Sequence, residues 1–182
     1  MPTYSKFNAA DQWKPQLWER HFVAIKKPSG RDKVSLSQRP HSKDLRKGRS
    51  SIAGQAYMVT TCTQDRKPIF ANFDAARQLI QTLAFEQNRQ TATTLAFVVM
   101  PDHLHWLLSL GQSKSLSAVV QAVKTASAKR IGWPVWQDGF HDHAVREEED
   151  VKHLARYIIA NPLRAGLVEK IGDYPHWDAI WF

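Results

Sequence analysis

His103 and His105 stand two residues apart in the segment HLHWLLSL, interleaved with the apolar row Leu104, Trp106, Leu108 and Leu110. Alternate side chains of a β-strand share a face. The apolar row therefore predicts one face packed under helices, and His103, His105, Leu107 and Ser109 form the other. Two imidazoles on one strand, with Cα atoms roughly 7 Å apart, can hold a divalent cation if a third ligand arrives from elsewhere. The same pattern also fits two ordinary surface histidines. His141-Asp142-His143 repeats the spacing and adds a carboxylate. It follows Gly139, has no alternating apolar row and runs into the polar stretch Arg146 to Asp150, so it ranks second as a ligand pair.

The other reactive candidate is Tyr157. In the segment Glu148 to Ala160 an apolar stripe centres on Val151, Ala155 and Ile158. At about 100° per residue, Tyr157 borders that stripe instead of lying in it. His153, Tyr157 and Asn161 are spaced by four, which lines them along one helix edge. Pro162 restricts Asn161 and is expected to end the helix there. Such a tyrosine is either an amphipathic boundary residue or one whose hydroxyl meets a ligand.

These residues need elements to carry them. Ala56 to Thr63 is β-branched and bounded by polar residues, which predicts a strand. Phe73 to Asn88 has helical spacing, with Phe73, Ala76, Leu79, Ile80, Leu83 and Ala84 on one side. Thr93 to Met100 and His103 to Leu110 form a pair of strands joined at Pro101-Asp102. Ser115 to Arg130 is a second helix, Trp136 to Phe140 a short fourth strand, and Glu148 to Ala160 a third helix with an acidic first turn. The order β-α-β-β-α-β-α predicts an α+β fold: an antiparallel sheet with helices packed on it, of ferredoxin-like type.

The chain has 182 residues and a net charge of +8. Residues 1–50 hold 12 Lys/Arg against 4 Asp/Glu, so the whole surplus lies there and residues 51–182 balance. We divide the chain accordingly into a partly extended basic arm, 1–50, and a folded domain, 51–182. A basic arm beside a neutral body suggests a polyanion held by phosphate neutralisation, although a solvated tail has the same composition. The single Cys62 excludes an internal disulfide framework and suits a reducing compartment. No apolar run reaches membrane-spanning length. We expect a soluble, cytoplasmic protein without a membrane partner.

Taken together, FVVMPDHLHWLLSL, WQDGFHDHAVR and HLARYIIANPLRAGLV resemble the single-tyrosine transposases of the IS200/IS605 type. They are most similar to the REP-associated tyrosine transposases, a branch of the HUH endonucleases. The resemblance covers about residues 45–180, including LRKGRSS; the long stretch before Leu45 departs from the family and receives no role from it. It implies His103 and His105 as metal ligands, Asn161 as the third ligand, Tyr157 as nucleophile and a divalent Mg²⁺ or Mn²⁺ as cofactor. It further implies cleavage of single-stranded DNA at a REP-like hairpin through a 5′-phosphotyrosine, which makes the protein an enzyme, a transposase. A free phenol ionises near pH 10, so it needs such help to attack a phosphate. Arg46, Lys47 and Arg49 are the expected DNA contacts near the foot of the hairpin. Trp133 and Trp136 are either stacking or core residues, and a monomer is expected in preference to a dimer. Two other readings compete: a hairpin-binding protein that has lost its chemistry, and a metallohydrolase built on His103, His105 and Asp102 or Asp142.

Overall fold

In the computed structural model, residues 51–146 and 150–181 are described. The basic arm and the expected DNA contacts Arg46, Lys47 and Arg49 lie outside the described residues. The β-branched run AYMVTTC favours extended backbone and forms β1, Ala56–Cys62. Helix α1, Phe73–Asn88, starts where the Asn72 side chain accepts from the Ala75 amide at 3.0 Å. Strands β2, Ala92–Met100, and β3, His103–Leu110, follow as a hairpin. Helix α2, Leu116–Ile131, is capped by Ser115 and stops at Gly132, whose φ of +96° suits a residue without Cβ.

Beyond α2 the chain departs from expectation. Trp136 to Phe140 is not a strand. Val135 is fully buried, the Trp136 indole donates to Ser127 Oγ at 2.9 Å, and Trp136 makes one isolated bridge to Thr63. The apolar side chains of this segment fill the core from an irregular backbone, which the buried Lys124 ammonium ties down at the Gln137 and Gly139 carbonyls. The strand lies further on, as β4, His141–Ala144. Helix α3, Val151–Ile159, begins at Asp150, which accepts from the Lys152 amide at 2.8 Å. It ends before Asn161, and Pro162 sits inside a separate turn, α4, Asn161–Arg164. A missing N–H costs nothing in a first helical turn, so this proline starts a turn instead of ending α3. A fifth strand, β5, Trp177–Ala179, was not anticipated.

The sheet is antiparallel throughout, in the order β4-β1-β3-β2-β5. It is an α+β fold with helices on both faces. Leu104, Trp106, Leu108 and Leu110 pack with α1 and α2 through Leu79, Leu83, Val119 and Val123. On the opposite face, Leu107 packs with Met58, Val98 and Met100 beneath Ala155, Ile158 and Ile159 of α3. Burying side chains of this kind contributes about 1.5–3 kcal/mol each, so α3 is held firmly on the face that bears His103 and His105.

Candidate active site

The two histidines are not surface residues: both are buried, and their Nε2 atoms face each other at 3.2 Å. Their other ring nitrogens are held from behind. His103 Nδ1 lies 2.5 Å from Asp102 Oδ1, and His105 Nδ1 lies 2.9 Å from Thr60 Oγ1, the residue opposite it on β1. With the Nδ1–H of each ring given to its partner, both Nε2 lone pairs point to one place. An ion bound at about 2.1 Å by adjacent ligands holds them about 3.0–3.4 Å apart, so the pair fits a divalent cation. Among the described residues no further His, Cys, Asp or Glu joins the pair to make a metal site. Among the described residues a third donor would have to be an oxygen other than a carboxylate.

Asp102 also sits 3.1 Å from the Arg66 guanidinium. Arg66 and Asp65 are both left-handed, at φ 55° and 53°, at a cost of about 1–3 kcal/mol each. That strained turn places a guanidinium against Asp102. With both oxygens engaged behind His103, Asp102 orients a ligand and is not itself one. Asp142 is paired with Val59, whose side chain belongs to the α1/α2 core. It therefore faces away from the histidines. The metallohydrolase reading loses both of its carboxylates on these grounds, and the His141-Asp142-His143 alternative loses its third donor.

Tyr157 and Asn161 are tied to one another by a residue the sequence did not single out, Arg164. Tyr157 is 40% exposed, so its phenol is accessible to a ligand and lies outside the core. Arg164 stacks its guanidinium 4.1 Å from the centre of the Tyr157 ring and donates to the Tyr157 carbonyl at 2.7 Å. The same nitrogen donates to Asn161 Oδ1 at 2.5 Å, while the Asn161 amide group donates to the Ile158 carbonyl. Asn161 is buried, with its oxygen turned toward Arg164 and its nitrogen toward the helix. Burial first, then the charges of His103, Arg164 and Arg66, hold the His105 imidazole well below its ordinary pKa. The charge on the tyrosine side thus reaches the histidine side. His153, expected on the same edge, is exposed and takes no part in these contacts. Trp133 and Trp136 separate into an exposed residue, 57% accessible, and one packed against the core. Thr60, Arg66 and Arg164 leave little sequence signal, whereas Asp102 is marked by its position directly before the histidine pair.

The sequence profile of a family described as "Transposase IS200 like" matches residues 51–161. The REP-associated tyrosine transposase of Escherichia coli strain K12 is 34% identical over 83 residues, 44% of this chain and 50% of that protein. The chain therefore matches about half the length of that relative. A putative REP-associated tyrosine transposase of Haemophilus influenzae is 25% identical over 150 residues, covering 70% of this chain and 81% of the other. A solved structure of a REP-associated tyrosine transposase bound to a REP hairpin superposes with a TM-score of 0.59 at 25% identity, covering 71% and 79% of the two chains.

Proposed function

From the membership of this chain in the IS200-like transposase family, we propose that it cuts and rejoins single-stranded DNA at REP-like hairpins. Tyr157 is the nucleophile, and His103, His105 and Asn161 hold one divalent cation, Mg²⁺ or Mn²⁺. The observation that carries this reading is the pair of Nε2 atoms at 3.2 Å on the sheet face that α3 covers. Two imidazoles and an amide oxygen suit Mn²⁺ at least as well as Mg²⁺, which favours all-oxygen shells. When bound, the cation would polarise the scissile phosphate and offset charge on the leaving oxygen.

The protein's own part is nucleophile and orientation. Tyr157 Oη forms a bond to phosphorus as the bond from phosphorus to the 3′-oxygen breaks, giving a 5′-phosphotyrosine and a 3′-hydroxyl. The phenolic proton leaves to solvent, and the 3′-oxygen regains one. One phosphodiester replaces another, so the reverse step rejoins DNA without ATP. The relatives named as tyrosine transposases and the similar structure that holds a REP hairpin support this choice of nucleophile and substrate. Arg46, Lys47 and Arg49 are proposed to contact the hairpin foot, and the protein to act as a cytoplasmic monomer.

Incubating the protein and Mn²⁺ with a labelled single-stranded REP-like hairpin should give a covalent adduct on a denaturing gel. Tyr157→Phe should abolish the adduct and leave hairpin affinity within about twofold. An adduct of undiminished yield from that variant overturns the assignment.

A further inference from the structure

Arg164 is exposed, and among the described residues no carboxylate neutralises it, whereas Arg66 has Asp102. Its guanidinium touches two of the four residues assigned to the reaction, yet its described hydrogen bonds all leave from one terminal nitrogen. A guanidinium carries five N–H donors in a planar fork that matches a phosphate, so the remaining donors stand beside the Tyr157 ring with no described acceptor. Its charge also opposes the expected metal. The same guanidinium occupies the oxygen Asn161 would give to that ion. Both objections vanish when an anion joins the site, because a phosphate neutralises the guanidinium and competes for its donors.

We infer that Arg164 receives the scissile phosphate beside Tyr157, and that the histidine pair binds its divalent cation tightly only together with that phosphate. This rests on the metal-dependent strand-transfer reading and adds to it a residue and a coupling. Arg164 touches the substrate at the reacting phosphate. Through Asn161 it also acts as a positioning residue that ties cation affinity to DNA.

Mn²⁺ binding to the full-length protein, followed by electron paramagnetic resonance with and without a REP-like hairpin oligonucleotide, tests the coupling without reference to cleavage. In the wild-type protein the oligonucleotide should tighten Mn²⁺ binding roughly fivefold or more. Arg164→Gln should bind Mn²⁺ several-fold tighter than wild type in the absence of DNA and lose most of the response to DNA. Arg164→Lys, which keeps the charge without the fork, should bind Mn²⁺ weakly in the absence of DNA, as wild type does, and regain part of the response. Thermal melts on both variants establish folding, and Arg164→Lys serves if Arg164→Gln does not fold. Equal Mn²⁺ affinity in wild type and Arg164→Gln, or a DNA response undiminished in Arg164→Gln, overturns the inference. His103→Ala separates the two levels. If that variant binds Mn²⁺ as wild type does, the metal site beneath the inference falls; if it loses Mn²⁺ while Arg164→Gln behaves as wild type, only the role of Arg164 falls.

Discussion

The two histidines are supported asymmetrically, and the asymmetry has consequences for metal affinity. A carboxylate only accepts, so Asp102 fixes the proton of His103 on Nδ1 and keeps Nε2 as a lone pair. A hydroxyl both donates and accepts, so Thr60 tolerates either tautomer of His105. Asp102→Asn substitutes an amide that can donate to Nδ1 and so favours the proton on Nε2, the wrong side for a ligand. We expect Mn²⁺ affinity to fall about 10–100-fold, read by titration at fixed pH, while Thr60→Val costs only a few-fold. Equal losses in the two variants would contradict the tautomer argument. At this scale the sequence marks the candidate ligands better than the groups that support them. The HxH spacing and the border position of Tyr157 are local patterns. By contrast, the approach of Thr60 to His105 depends on strand register, and that of Arg66 on a left-handed turn.

Among the elements, strong periodicity was legible and weak periodicity was not. The alternation of β3 separates its two faces; the apolar row lies under helices as expected, and the histidine face is covered as well, by α3. The misplaced fourth strand has a physical cause. Trp136 and Phe140 are apolar because they plug the core edge, not because they pair, whereas β4 is a polar edge strand whose ladder to β1 leaves no hydrophobic pattern. β5 is three residues long, too short to register as a period.

Two element-scale outcomes follow from close packing. A Cβ at Gly111 would collide with the backbone carbonyls of Gln90 and Thr91, so Gly111→Ala should lose about 1–3 kcal/mol in denaturant unfolding. Unchanged stability would mean the turn is looser than drawn. His176, leading into β5, accepts from the Val99 amide through its backbone oxygen, and its ring lies against Phe73 and Tyr174. Burial, then the charge of Arg77, lowers its pKa. The unfolded chain binds this proton more readily. The contribution of His176 is therefore complete above the ordinary imidazole value of about 6.5 and is lost as pH falls below it. The melting temperature should decline on that acid limb, and more shallowly in His176→Gln.

At the scale of the whole molecule, the charge surplus and the chemistry occupy different parts of the chain. Residues 51–182 carry as many acidic as basic side chains, while residues 1–50 carry the entire +8. No helix among the described residues is long and apolar enough to cross a membrane. If the site supplies geometry and the arm supplies phosphate attraction, affinity and catalysis separate under salt. Each phosphate neutralised on a single strand contributes about −0.7 to the slope of log affinity against log salt. Replacing Lys26, Lys27, Arg31 and Lys33 by Gln in the full chain removes four charges far in sequence from the histidines. The slope should flatten by up to about 3, and affinity at low salt should drop. Adduct formation at saturating hairpin concentration should stay within about twofold of wild type, because Tyr157 and the histidine pair are untouched. An unchanged slope would remove Lys26, Lys27, Arg31 and Lys33 from the phosphate contacts and leave those contacts to other residues, Arg46, Lys47 and Arg49 among them.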